Sequence, residues 1–304
     1  MKTLFIDCNH QLAPIFARVH GPDDPPIAVN AAPFTSADLP HLLAGCAVCI
    51  DDHSYLPTEQ IAACTDLRHV VFLGTGASSY MDISALEALG VTVHTIRGYA
   101  NTAVAEHTIA LMVACARDVA RMDRAIRAGI WRPLEGMQLE GKVLGVVGLG
   151  GIGREVARLG AGLGMRVVAW NRTPRPDAGV PEVDLDTLLS TADVVSLNLG
   201  LNDDTRGMIG AEKLARMKDG ALLINTARAA LVDEAALIAE LTHGRIRAAL
   251  DVFHAEPLRA DHPLARLEGV TLTAHAAFRT PEASEELLRR AIDIVRTISA
   301  APAR

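Results

Sequence analysis

The stretch VVGLGGIGREVARLGAGLGMRVVAWNRTPRP, Val146–Pro176, decides how the rest of the chain is read. An apolar run with strand character ends in Gly148-Leu149-Gly150-Gly151-Ile152-Gly153, and a segment with helical spacing follows at once. A lone G-x-G-x-x-G says little, but between a strand and a helix each glycine acquires a physical reason. Gly148 suits a tight turn, Gly150 leaves room for a pyrophosphate, and Gly153 lets the helix close on the strand. The helix start aims N–H groups at the phosphates. The pattern implies a dinucleotide site formed by Gly148, Gly150, Gly151, Ile152 and Gly153. The second strand, RVVAW, ends without the usual acid. Asn171, Arg172 and Thr173 occupy that slot, with Arg175 nearby. A carboxylate there would accept from ribose hydroxyls and repel a 2′-phosphate, whereas a guanidinium forks onto one. The expected cofactor is NADP; if Arg172 points into solvent, the loop is permissive and takes either NADP or NAD.

Working outward, the same alternation extends in both directions. Downstream, DVVSLNL, ALLINTA, RAALDVF and VTLTAH read as further strands, separated by helical segments such as Asp184–Thr191 and Asp233–Leu241. Upstream, KTLFID, AVCIDD, RHVVFLGTG and VTVHTI are continuously apolar, as strands buried on both faces of a parallel sheet are. Helices are expected around Thr58–Ala63 and Ile83–Leu89, and one long helix from about Val104 to Ala128, stopped by Gly129. Thr280 and Pro281 open a last helix whose face carries Leu288, Ala291, Ile292, Val295 and Ile298. The fold class is α/β, with two doubly wound parallel-sheet domains in 304 residues.

Composition limits the function classes. A formal net charge of −7 and a pI near 5.9 argue against a nucleic-acid surface. No apolar run of about 18 residues is present to span a bilayer. The five cysteines follow no disulfide spacing, which places the chain in a reducing compartment, the cytoplasm. Cys46 and Cys49 form a C-x-x-C inside AGCAVCI and read as buried strand thiols rather than a metal or redox pair. No metal site is expected.

Three later segments fall at strand ends, where open α/β sheets bind ligands. They are INTARAALVDEAAL (Ile224–Leu237), DVFHAEPL (Asp251–Leu258) and TAHAAFRTPEA (Thr273–Ala283). With VGLGGIG, and with LGTGASSYMDISALEALGVTV, VAEHTIALM and SLNLGLNDDTRGMIG, they resemble the D-2-hydroxyacid dehydrogenase family, in order and over nearly the whole chain. The resemblance implies two Rossmann-like domains, one flavodoxin-like and one dinucleotide-binding, with a cleft between them. Residues 1–100 plus 279–304 would form the substrate domain, and residues 101–278 the cofactor domain. It also implies a homodimer and a small 2-oxo or 2-hydroxy acid substrate, such as glyoxylate or hydroxypyruvate.

By the same resemblance Arg228, Glu256 and His275 carry catalysis. The residue types suit the task. A planar fork can engage a carboxylate and a carbonyl together, an imidazole exchanges protons near neutral pH, and a carboxylate can orient that ring. Gly74, Thr75 and Gly76 match the turn that holds the substrate carboxylate, with Thr75 and Gly76 as donors, and Asn101 matches a cleft-lining position. Thr226, Ala227 and Asp251 match positions around the nicotinamide, Asp251 as an acceptor for the carboxamide. His107 reads as a packing residue. The chain departs from the family pattern at Ala230, where glycine is usual, and at Asn198-Leu199-Gly200, where many members have His-x-Pro. Phe278 and Arg279 stand at variable positions. Alternatives are a phosphoglycerate dehydrogenase-like enzyme, although the first domain has few extra basic residues, and a catalytically silent nicotinamide-sensing protein, although the triad is intact. A formate-type enzyme is disfavoured by Glu256.

Overall fold

The structure, a computed structural model, describes residues 1–300. The chain divides into two compact units, Met1–Ala100 with the segment from Arg279 onward, and Asn101–Phe278. The first unit contains β1 (Thr3–Phe5), α1 (Leu12–Val19), β2 (Ile27–Val29), α2 (Leu39–Leu42), β3 (Val48–Asp51), α3 (Thr58–Ala62), β4 (His69–Phe72), α4 (Ile83–Ala88) and β5 (Thr92–Thr95). Its strands form one parallel sheet in the order β2-β1-β3-β4-β5. The C-terminal helix Pro281–Ala300 belongs to this unit. Thr280 caps it, accepting from Ala283 N at 3.1 Å. Leu288, Ala291, Ile292 and Val295 are buried on Phe5, Phe16, Ile50 and Val71, the face its spacing implies.

Three elements of this unit have no counterpart in the sequence expectation: α1, β2 and the single turn α2. Helix α1 carries Pro14 in its first turn, where the missing N–H is harmless. Strand β2 follows Pro25 and Pro26 and lies at the sheet edge, where prolines are tolerated. These three prolines weaken the local signal; burial of Leu12, Phe16 and Val19 overrides it in α1, and pairing with β1 does so in β2.

The second unit opens with α5 (Asn101–Ala116) and α6 (Val119–Arg127), followed by β6 (Val143–Val147), α7 (Gly151–Gly162), β7 (Arg166–Trp170), α8 (Leu185–Thr191), β8 (Val194–Leu197), α9 (Ala211–Arg216), β9 (Leu222–Asn225), α10 (Glu234–Thr242), β10 (Arg247–Leu250), α11 (Pro263–Arg266) and β11 (Val270–Leu272). All six strands are parallel, in the order β11-β10-β9-β8-β6-β7, and the winding direction reverses between β6 and β8. Gly145 inside β6 is where α8 comes closest: an added Cβ would meet Leu188 at 2.5 Å.

The long helix expected over Val104–Ala128 is instead two helices, and the correction has a clear cause. Asp118 takes a left-handed backbone, φ 53°, and its carboxylate binds Arg247 Nη1 at 2.6 Å. The carbonyl of Ala116, released from the helix ladder, accepts from Met137 N at 2.8 Å. Gly136 makes room for that contact, because a Cβ there would lie 2.7 Å from Ala116 O. Gly129, φ 77°, terminates α6 as its position implies.

Candidate active site

Because every strand of the second sheet is parallel, the loops that leave their carboxyl ends share one edge. Along it come His275 beyond β11, Asp251 after β10, Arg228 beyond β9, Asn198 after β8 and Gly148 after β6. Neighbouring strands are about 4.8 Å apart, so the sheet gathers segments distant in sequence.

The glycine turn has the geometry its spacing requires. Gly148 has φ 103°, and a Cβ there would lie 2.7 Å from Asn198 O. A Cβ on Gly153 would overlap Gly148 O, and one on Gly151 would overlap the Asn101 side chain. Over Gly150, by contrast, there is no atom within 4 Å of an added Cβ. The turn is thus packed on its protein side and open at Gly150, a cradle that fits a pyrophosphate at the N-terminus of α7. Asn198 Oδ1, at the reversal between β6 and β8, is buried and has no hydrogen-bond partner. It is an acceptor beside that cradle which the motif did not reveal.

Asn171 ties the end of β7 to the turn by accepting from Leu149 N at 3.0 Å, and its amide donates to Thr173 O. Arg172 Nη1 pairs with Asp204 at 3.0 Å, and both side chains are well exposed. Asp204 is a partner that sequence reasoning missed.

Thr226 Oγ1 lies 2.7 Å from Thr108 Oγ1 of α5, which fixes the end of β9. Buried Asn225 then shapes the next turn, accepting from Ala227 N and donating to Arg228 O, each at 3.0 Å. The guanidinium of Arg228 donates to Ala227 O at 2.7 Å. His275 Nδ1 is 2.7 Å from Glu256 Oε2, and Glu256 Oε1 accepts from Phe253 N at 2.9 Å. The imidazole is therefore fixed at one nitrogen by a carboxylate that is itself held by the main chain. His275 also stands edge-on to Phe278, with ring centroids 5.9 Å apart. Asp251 is fully buried, and its oxygens accept from Thr273 Oγ1, Ala276 N and Ala277 N.

In the first unit Gly74 N donates back to Phe72 O at 2.9 Å. The N–H groups of Thr75 and Gly76 have no acceptor among the described residues. Asn101, at the start of α5, is placed against Gly151 of the glycine turn. The first unit also holds a cavity of about 590 Å³ at the carboxyl ends of β1–β3, lined by Asp7, Cys8, Asn30, Phe34, Ser54 and Tyr55, which the sequence did not announce. All five cysteines are free and buried. No helix among the described residues is long and apolar enough to cross a membrane.

A glycine turn at the winding reversal of a doubly wound sheet, with a carboxylate-held imidazole on the same edge, defines a nicotinamide-dependent oxidoreductase. Residues 109–277 match the D-isomer specific 2-hydroxyacid dehydrogenase, NAD binding domain. The D-3-phosphoglycerate dehydrogenase of Archaeoglobus fulgidus is 36% identical over 266 residues, covering 85% of this chain and 50% of that protein. This chain therefore spans half the length of that relative. The hydroxypyruvate reductase of Thermotoga maritima is 37% identical over 233 residues, covering 75% of this chain and 76% of the other. The crystal structure of a glyoxylate reductase from Paecilomyes thermophila superposes with a TM-score of 0.83 at 29% identity, covering 98% of this chain and 95% of that one. The chain belongs to the D-isomer specific 2-hydroxyacid dehydrogenase family.

Proposed function

We propose that this protein reduces small 2-oxo acids of the glyoxylate and hydroxypyruvate kind to D-2-hydroxy acids, with NADP(H) preferred over NAD(H). The observation that carries the reading is the His275–Glu256 pair, 2.7 Å apart at the sheet edge that also bears Arg228 and the glycine turn. A bound nicotinamide supplies the hydride. Gly148, Gly150, Gly151, Ile152 and Gly153 hold its phosphates, and Thr226 and Ala227 flank its ring, with the fully buried Asp251 behind them. Arg228 engages the substrate carboxylate and carbonyl oxygen and stabilises the charge that develops on the latter. His275, oriented through Nδ1, gives its proton to that oxygen from Nε2. The N–H groups of Thr75 and Gly76 suit a carboxylate.

The NADP preference rests on the end of β7. Asn171 rather than an acid follows the last residue of the strand, and its oxygen already serves Leu149 N. Arg172 is held only by an exposed partner, and surface pairs of this kind contribute about 0–1 kcal/mol. A 2′-phosphate can displace Asp204 at little cost.

The exposed apolar side chains Val119, Ile126, Ile130 and Trp131, on and after α6, support a homodimer in which a second copy covers them. Five buried thiols suit a cytoplasmic protein. The deciding test is a panel of glyoxylate, hydroxypyruvate and 3-phosphohydroxypyruvate with NADPH and NADH, read by loss of reduced-nicotinamide absorbance. Turnover of the first two supports the reading. Preference for the phosphorylated acid replaces it with phosphoglycerate dehydrogenase chemistry, and cofactor binding without turnover replaces it with a sensor.

A further inference from the structure

His275 has a left-handed backbone, φ 50°. Such a conformation is strained for a residue with a side chain and persists only where the surroundings enforce it. Here the enforcement comes from Asp251. Its carbonyl accepts from His275 N at 2.8 Å. Its carboxylate accepts from Ala276 N at 3.0 Å, Ala277 N at 2.9 Å and the Thr273 hydroxyl at 2.5 Å. One buried side chain thus grips the loop on both sides of the imidazole. Burial opposes its ionisation, yet the donors from His107, Thr273, Ala276 and Ala277 prevail, and the carboxyl is held below its ordinary range.

His107 of α5 completes the arrangement. Its Nε2 is 3.0 Å from Thr273 Oγ1 and 3.5 Å from Asp251 Oδ1. Thr273 has one hydroxyl hydrogen and directs it at Asp251, so its oxygen must accept from His107. That assigns the proton of the His107 ring to Nε2 and gives every bond a direction: His107 to Thr273, Thr273 to Asp251.

We propose that His107 is a positioning residue for catalysis, holding Thr273 and Asp251 so that residues 273–277 keep the backbone that presents the His275 imidazole to Glu256 and to substrate. This rests on the oxidoreductase reading of His275. It gives α5 a role that neither the motif nor packing alone assigns.

The test compares the wild type with His107→Phe, which keeps ring volume and loses the donor, and His107→Gln, which keeps an N–H at similar reach. Kinetics use whichever acid the wild type turns over, and amide hydrogen exchange is followed without cofactor. His107→Phe should lower kcat by about 10–100-fold, the scale of a small misplacement, with the cofactor KM within about twofold. Exchange at residues 275–277 should quicken at least about tenfold while β6, β8 and β9 keep their rates, and His107→Gln should recover much of both losses. Wild-type kcat and exchange in His107→Phe overturn the proposal. Uniform quickening across the strands, or a loss in kcat that follows only the count of active sites, overturns it in favour of plain structural support. If the wild type turns over no acid, the functional reading fails on its own, and the exchange rates at 275–277 still decide whether His107 holds the loop.

Discussion

Glu256→Gln isolates what the carboxylate does for the imidazole. Glu256 makes two contacts, Oε1 with Phe253 N at 2.9 Å and Oε2 with His275 Nδ1 at 2.7 Å. Glutamine keeps a carbonyl oxygen for Phe253 N and turns its amide toward Nδ1. An amide N–H cannot accept from an Nδ1–H, so the protonated ring loses its charge-assisted partner although its place in the loop is preserved. Hydrogen bonds to charged groups contribute about 1.5–3 kcal/mol. The two side chains are 34% and 36% exposed, so solvent competes and the lower end applies. About 1.5 kcal/mol corresponds to a roughly tenfold fall in kcat/KM. The assay is the initial rate of reduced-nicotinamide oxidation with a saturating cofactor, and the cofactor KM should move less than about twofold. The same substitution in a His275→Ala background should cost nothing further, because coupled residues do not add. A second tenfold loss in that background would show that Glu256 acts on something other than His275, and the assigned role would be wrong.

Other outcomes follow from single residues. Gly150→Ala, which meets no atom within 4 Å, should leave the melting temperature within a few degrees but weaken cofactor binding at least about tenfold. Gly153→Ala, which collides with the Gly148 carbonyl, should lower both, and calorimetry with cofactor titration separates the two. Arg172→Ala should raise the Kd for NADPH about tenfold and leave NADH nearly unchanged; equal losses would remove the 2′-phosphate reading. Asp51→Asn should stabilise the first unit. Burial, and after it the charge of Asp7, lifts the Asp51 carboxyl well above its ordinary range, so the folded chain keeps a proton that the unfolded chain releases. Stability therefore falls as pH rises above about 4. An amide keeps the oxygen that accepts from Ser54 N, so the gain in melting temperature should grow from pH 5 to pH 7. A gain independent of pH would show that Asp51 is not held protonated.

The parts of the site legible in the chain were those whose constraint is local. G-x-G-x-x-G is readable because steric exclusion acts between atoms a few residues apart, as Gly153 against Gly148 O shows. Strands β6, β8, β9 and β10 were readable because burial on both faces demands unbroken apolar runs. The break between α5 and α6 was not, because the residue that fixes Asp118 in its left-handed turn is Arg247, far along the chain. His107 escaped for the same reason. On a helix it resembles any packed polar residue, and only the return of β10 and β11 sets Thr273 and Asp251 beside it.

Residue order alone pointed to a doubly wound pair of sheets, to a glycine turn shaped for a phosphate and to Arg228, Glu256 and His275 as the candidate site residues, since each follows from spacing, side-chain chemistry or a matched motif. Folding in three dimensions settled which of these groups touch. It joined Glu256 to His275, turned Arg172 to Asp204, used Asn171 to brace the glycine turn and directed Asp251 at the loop that carries His275. Hydrogen bonds have short range and fixed direction, so partners separated by many residues are chosen only when the sheet brings their strand ends to one edge.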